Sequence, residues 1–412
     1  MKKFLSIALT LILMLGCFAA CSKTPAKPET SPAEGDTTAE KEPAAKPAGD
    51  TIKIGITGCH TGENAQYGLG VLNGATIYID QVNANGGING KQIEIVKYDN
   101  KGDNAEAVSA FKRAVGDGIT ALIGDVLTSN TIAVAGEAIK INMPMITPSA
   151  TATAVTYDAD SDTVYGNVFR TCFIDPFQGE KMAKYASEKL SAKTAAVLYE
   201  TGNDYAVGLK DAFTAQCKTL GVEVVAEEGY ATGDVDFKSQ LTTISSKKPD
   251  VIFCPNYYED NGLIITQARE VGVKGTFLGG DGMSGVKGFG TAADLEGTIY
   301  CSGYAPGSTD AVKAFEAEYT EKYGAETLNM FAATAYDAAV VMCNAISVAE
   351  EAGLKAGTDE YKQAVIDAIR DKSTDLECIT SAGYTFDKYN NPVKDAVIMK
   401  LEGGNEVFVE NF

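Results

Sequence analysis

Residues 51–98 read TIKIGITGCHTGENAQYGLGVLNGATIYIDQVNANGGINGKQIEIVKY. Thr51-Ile52-Lys53-Ile54-Gly55-Ile56 alternates with the two-residue period of a strand. Residues 66–84 carry helical spacing. Residues 91–98 return to the strand period, with Ile93, Ile95 and Lys97 set against Glu94 and Val96. A strand, a helix and a second strand joined by short turns are the unit from which parallel sheets are built.

The same alternation runs outward. Helical spacing over 104–116 is followed by a short apolar strand at 120–123. A helix at 128–140 then leads to a strand at 144–147. A second set starts near Phe177, with helices at 177–190, 204–219, 236–246 and 260–271. These alternate with strands at 195–199, 222–226, 250–254 and 276–278. Helices at 310–323, 330–352 and 359–370 follow. The chain closes with 397–401, a Gly403-Gly404 turn and 407–409, which read as a hairpin. The expectation is an α/β protein with two doubly wound lobes. Ligands of such folds bind in the crevice outside the carboxyl ends of the strands.

The first fifty residues follow another logic. Lys2 and Lys3 precede an apolar run from Phe4 to Leu15 that is short for a membrane span, the pattern of an export signal. Phe18-Ala19-Ala20-Cys21 resembles a bacterial lipoprotein cleavage box, which implies a signal over 1–20 and lipidation of Cys21. Met14-Leu15-Gly16-Cys17 is the competing box. It leaves fewer small residues before the cut and lacks a polar tail after it. Residues 21–50 are rich in Pro, Ala, Glu, Lys and Thr without apolar periodicity, so a flexible tether is expected. The expected location is extracytoplasmic, held to the membrane by lipid.

Composition narrows the function. The 412-residue chain carries 35 Lys+Arg against 55 Asp+Glu, a formal charge of -20. Such a surface repels phosphate backbones and argues against nucleic-acid partners. Beyond Cys17 and Cys21 the cysteines Cys59, Cys172, Cys217, Cys254, Cys301, Cys343 and Cys378 are scattered, with no CxxC or Cys/His spacing for zinc. Cys172, Cys254 and Cys301 lie in apolar runs and read as buried small hydrophobes. His60 is the single histidine and has no partners in the sequence, which argues against a Ser/His/Asp triad and against a His metal site; it reads as a loop residue near the cleft. Gly280-Asp281-Gly282-Met283-Ser284-Gly285 has the spacing of a dinucleotide turn, but Asp281 would set a carboxylate against a pyrophosphate. Gly86 to Lys91 is one residue short of a P-loop. Neither an enzyme nor a metal or cofactor site is expected.

Several short segments, taken in order, carry a resemblance. They are Gly58-Cys59-His60-Thr61-Gly62, Ala65-Gln66-Tyr67-Gly68, Asn83-Ala84-Asn85-Gly86-Gly87-Ile88-Asn89-Gly90-Lys91 and Pro144-Met145-Ile146-Thr147-Pro148-Ser149-Ala150-Thr151. Gly202-Asn203-Asp204-Tyr205-Ala206-Val207-Gly208 and Gly279-Gly280-Asp281-Gly282 complete the set. Together they resemble the leucine/isoleucine/valine-binding proteins of branched-chain amino acid ABC importers, over essentially all of 51–412. The resemblance implies the type I periplasmic-binding fold, two Rossmann-like lobes joined by a three-crossing hinge near 170–175, 300–305 and 380–387. The lobes implied are 51–171 with 303–383, and 172–302 with 384–412. The implied function is capture of a small amino-acid ligand by a monomer and its delivery to ABC permease and ATPase subunits. The same fold serves in ligand sensors, and an ending at Phe412 favours a separate binding subunit over those.

An amino acid needs donors for its carboxylate, an acceptor for its ammonium and an apolar wall for its side chain. By resemblance the donors are Thr128, Ser149, largely through its backbone, and Thr151, of which Thr128 and Thr151 could otherwise be helix caps. The acceptor is Asp281, otherwise a turn aspartate. The wall is Tyr67, Tyr205, Tyr257 and Phe331, with Tyr258 replacing Tyr257 if the alignment slips by one. Each of these aromatics could equally be core packing.

Overall fold

A computed structural model of the chain describes residues 51–412; the export segment, Cys21 with its competitor Cys17, and the tether lie outside the described residues. The described elements are, in order, β1 (Ile52–Gly58), α1 (Ala65–Ala84), β2 (Ile93–Asp99), α2 (Asn104–Gly116), β3 (Ala121–Ile123), α3 (Thr128–Ala138), β4 (Met145–Thr147), β5 (Tyr157–Asp158), β6 (Thr163–Val164) and β7 (Val168–Arg170). There follow α4 (Asp175–Glu188), β8 (Thr194–Glu200), α5 (Asp204–Leu220), β9 (Glu223–Tyr230), α6 (Lys238–Lys247), β10 (Val251–Phe253), α7 (Tyr258–Glu270), β11 (Thr276–Gly279), α8 (Ala292–Leu295) and β12 (Ile299–Ser302). The last are α9 (Asp310–Tyr323), α10 (Met330–Glu351), α11 (Asp359–Asp371), β13 (Val397–Glu402) and β14 (Asn405–Asn411).

These form two principal sheets. The first, in the order β2-β1-β3-β4-β7, is parallel throughout. The second runs β9-β8-β10-β11-β12-β13-β14, parallel as far as β12 and antiparallel across the closing hairpin. The strand order reverses between β1 and β3 in one sheet and between β8 and β10 in the other. Those reversals open a crevice at the carboxyl ends of the strands. Helices α9 and α10 pack on α1, and α10 also lies against β3 and β4. The chain therefore leaves the first sheet after β7, returns to it after β12, and leaves again between α11 and β13. This is the expected fold, two doubly wound lobes with three crossings.

One expectation needs correction. The alternation assigned to β2 is incomplete, because Ile93 and Ile95 pack with α1 while Val96 packs on the opposite face with Phe111 of α2. A parallel strand covered by helices on both faces has no solvent side to keep polar. The second sheet is larger than the first, since β13 and β14 extend it. Helix α10 is long and apolar enough to cross a membrane by composition, yet most of it is buried inside the fold. Its all-round apolarity reflects its central position. The seven described cysteines are all free thiols, with Cys172, Cys254 and Cys301 buried as expected.

Helices α1 and α10 approach closely because glycine supplies the room. A Cβ on Gly74 would lie 2.0 Å from the carbonyl oxygen of Ala332. Gly74→Val should therefore destabilise the chain by about 3 kcal/mol, the upper end for overpacking. Urea unfolding checks this, with a shift of the midpoint to lower concentration as the expected result.

Candidate functional site

The crevice is built from strand ends. Tyr67 stands in the first turn of α1, beyond β1, and Val126, Leu127 and Thr128 link β3 to α3. Ser149 follows β4. From the second sheet come Tyr205 in the first turn of α5, Tyr257 after β10, and Asp281 with Gly282 after β11. With Phe331 at the start of α10, these residues enclose a cavity of about 10 Å³, room for one water molecule. Seven of the eight residues named from the sequence line it, and Thr151 does not. Its side chain is fully buried and its backbone N–H donates to Thr128 Oγ1 at 3.4 Å, so it stands behind the wall as a neighbour of Thr128.

One end of the cavity suits an anion. The N-cap of α3 is Leu127, which offers no side-chain acceptor, so the first N–H groups of this helix are not capped by their own chain. Thr128 is already the first helical residue and is therefore not a cap. Ser149 Oγ donates to Val126 O at 2.7 Å, tying the strand ends together. Beneath them lies Asp125, which the sequence reading passed over. Its carboxylate accepts from Val126 N–H at 2.6 Å, Asn100 Nδ2 at 2.7 Å and Thr57 Oγ1 at 3.1 Å. This buried hub fixes the path of the chain into α3. Arg170, fully buried, holds the segment after β4 by donating to the carbonyls of Ala150 at 2.8 Å and Ala152 at 3.0 Å.

The other end suits a cation. Asp281 is buried, and its Oδ2 has no hydrogen-bond partner. Burial pushes its carboxyl up from 3.8 to about 7, against a weaker opposing pull from the neighbouring polar side chains of Tyr205 and Gln178. The backbone N–H of Asp281 donates to Gln178 Oε1 at 2.8 Å, which fixes the turn. That turn continues as single 3₁₀ turns over 281–283 and 286–288, so the glycine spacing at 280–285 opens no long helix of the dinucleotide-binding kind.

Aromatic rings form the walls between these ends. Tyr67 packs edge-on against Phe331 at 4.9 Å and Tyr257 at 5.7 Å, and Tyr257 stacks on Tyr205 at 5.2 Å. Tyr258, the alternative to Tyr257, lies outside the lining and 4.6 Å from the Tyr67 ring, with its hydroxyl donating to Glu63 O. Hydrogen bonds cross between the two sheets here. Tyr67 OH donates to Gly282 O at 2.6 Å and Ser129 Oγ donates to Asp204 Oδ2 at 2.9 Å, while within the second lobe Gly282 N–H donates to Tyr205 OH at 2.7 Å. His60 lies outside the lining, its backbone N–H held by Asp99 Oδ1 at 2.9 Å.

Outside the cavity, sharing Leu127 and Tyr257 with it, opens a cleft of about 620 Å³. Glu63, Asp103, Glu200, Asp234, Glu259 and Asp260 line this cleft, against one cation, Lys101. Such a mouth repels anionic solutes and admits zwitterions and cations. Val126, Leu127 and Gly282 were missed as lining residues, because an apolar pair after a short strand reads as core.

The chain matches the periplasmic binding protein family over residues 51–405. It is 33% identical over 323 residues to the Leu/Ile/Val-binding protein BraC3 of Rhizobium johnstonii, covering 78% of this chain and 83% of that one. It is 32% identical over 310 residues to a leucine-, isoleucine-, valine-, threonine- and alanine-binding protein of Pseudomonas aeruginosa, covering 74% and 80%. Among solved structures it is similar to the branched-chain amino acid transporter substrate-binding protein LivJ of Streptococcus pneumoniae in complex with isoleucine. There the TM-score is 0.78, the identity 34%, and the coverage 87% of this chain and 99% of that one. A leucine-binding protein LivK of Thermotoga maritima has the same TM-score of 0.78 at 30% identity, covering 88% and 99%.

Proposed function

The chain belongs to the periplasmic binding protein family, and from that premise we propose that it is the extracytoplasmic solute-binding component of an ABC importer. Its cargo is a branched-chain or related aliphatic L-amino acid. The observation that carries the reading is the polarity of the cavity. An uncapped helix start with Thr128 and Ser149 lies at one end, and a buried carboxylate with an unpartnered oxygen at the other. Aromatic rings lie between them. A carboxylate, an ammonium and an aliphatic side chain meet those three environments in turn. Relatives named for leucine, isoleucine and valine support the choice.

Burying an isobutyl group contributes roughly 1.5–3 kcal/mol, and each charge-assisted hydrogen bond about 1.5–3 kcal/mol. After association costs a dissociation constant on the order of micromolar or below follows. Organic acids are disfavoured, because Asp281 and the acidic mouth oppose a ligand without a cation.

The mechanism we infer is hinge closure. A cavity of about 10 Å³ cannot take an amino acid while its walls touch. Entry therefore requires the lobe of 51–171 with 303–383 to part from that of 172–302 with 384–412, breaking the Tyr67–Gly282 and Ser129–Asp204 bonds. The amino acid docks on Thr128 and Ser149, with Thr151 supporting Thr128. Closure then brings Tyr205, Tyr257 and Asp281 against it. The closed monomer delivers its cargo to the membrane permease, tethered by lipid on Cys21. The role is binding, not catalysis. X-ray scattering with and without saturating leucine tests closure: compaction is expected, and an unchanged radius of gyration with leucine bound would refute it.

A further inference from the structure

We propose that Tyr258 is a latch of the closed state: its hydroxyl holds the two lobes together around the cargo without touching it, and so sets how long the amino acid is retained. This rests on the amino-acid and hinge-closure readings above. Tyr258 is the first residue of α7, in the second lobe, and is 1% exposed. It stands outside the cavity lining. Both hydrogen-bond partners of its hydroxyl belong to the first lobe. The hydroxyl donates to Glu63 O at 2.5 Å and accepts from the backbone N–H of Gln66 at 3.3 Å.

The first lobe has a place for that hydroxyl. The N-cap of α1 is Asn64, which makes no side-chain capping hydrogen bond. Gln66 is the second residue of that helix, so its N–H has no intrahelical acceptor. Tyr258 supplies the acceptor from across the crevice, a helix cap contributed by the other lobe. Tyr67 returns the contact. Its OH accepts from the backbone N–H of Tyr258 at 3.1 Å and donates to Gly282 O at 2.6 Å, both in the second lobe. The two rings meet edge-on with centroids 4.6 Å apart. Each tyrosine is seated in the opposite lobe, and of the two only Tyr67 lines the cavity.

The segment that Tyr258 grasps leads on to a wall of the cavity. Gln66 O accepts from Asn329 Nδ2 at 2.9 Å. Asn329 Oδ1 in turn caps α10, accepting from the N–H groups of Phe331 at 2.9 Å and Ala332 at 3.2 Å. A Cβ on Gly285 would lie 2.9 Å from Gln66 Oε1, so the second lobe packs flush on Gln66. When the lobes part, Glu63 O, the Gln66 N–H and the phenol hydroxyl return to water and find partners there. The contribution of the hydroxyl therefore falls on the closed state alone, and by linkage on retention of the solute that the closed cavity encloses.

The test compares the full chain with its Tyr258→Phe variant, which keeps the ring and removes the hydroxyl. Calorimetry reads the affinities for leucine, isoleucine and valine, stopped-flow tyrosine fluorescence the rates, and urea unfolding the stability free of ligand. The wild type is titrated first, and failure to bind these or any other amino acid overturns the amino-acid reading and the latch with it. With the wild type binding, the latch predicts about tenfold weaker affinity in the variant, the ratio that one net hydrogen bond supports. The loss is the same for each amino acid the wild type binds, because the hydroxyl touches none of them. It is carried by faster dissociation at an unchanged association rate, and the urea midpoint stays where it was. Unchanged affinity overturns the latch while leaving the amino-acid reading intact, as does a loss confined to association. A loss that differs among the amino acids overturns it by placing Tyr258 in the ligand's wall. A loss accompanied by a lower urea midpoint overturns it by assigning the hydroxyl a structural role.

Discussion

Asp281→Ala is expected to weaken amino-acid binding by about 3–5 kcal/mol, the cost of leaving a buried charge without its partner. The side chain is 1% exposed and its Oδ2 is unpartnered, so nothing in the protein replaces the lost contact. The shorter side chain leaves the turn intact, because the Asp281 backbone N–H still donates to Gln178 Oε1. The ligand-free variant should be as stable as the parent at neutral pH or more so. Isothermal calorimetry with leucine reads the first effect and urea unfolding the second. Unchanged leucine affinity would remove Asp281 from the site.

The second large effect is on pH. In the free protein the Asp281 carboxyl titrates at about 7, and a bound ammonium must lower that value. Below pH of about 7 the ligand has to displace a proton, so affinity should fall about tenfold for each unit of acidification, or 1.36 kcal/mol. Above that pH the Asp281 contribution is constant. Stability of the free protein runs the other way. Between the ordinary 3.8 and about 7 the folded state holds a proton that the unfolded state has lost, so this group makes stability decline as pH rises through that window. The groups sharing this field are Asp175, Tyr67, Tyr205, Cys172 and Cys301. Titration of leucine at pH 5, 6, 7 and 8 reads the slope, and a flat profile would contradict an ionised Asp281 facing an ammonium.

The sequence was most informative where periodicity is long. The helices of 20 and 22 residues, α1 and α10, were legible within a residue or two of their ends. Strands β7 and β12, three and four residues long, were read only as hinge crossings. Their short apolar runs carry no period of their own, and pairing within the sheet makes them strands. The same limit hid part of the site. Asp281 stood out because two glycines frame it beyond a strand, whereas α4, expected to start at 177, begins at Asp175. Pro176, in the first turn of α4, marked the true beginning. Val126 and Leu127 face the cavity only because Asp125 and Ser149 bind the chain there, a long-range arrangement without local signature. Thr151 shows the converse, a hydroxyl at the right spacing that supports Thr128 and does not itself line the cavity.

The central claim is that this cavity takes a zwitterion with an aliphatic side chain. It is tested most directly by calorimetric titration of the refolded, ligand-stripped protein with leucine, isoleucine and valine, and with 4-methylpentanoate, which is leucine without its ammonium. Binding of at least one of the three amino acids at micromolar concentration or below, with the ammonium-free acid at least about a hundredfold weaker, is the predicted result. Silence toward all three, or equal affinity for the acid, would contradict it.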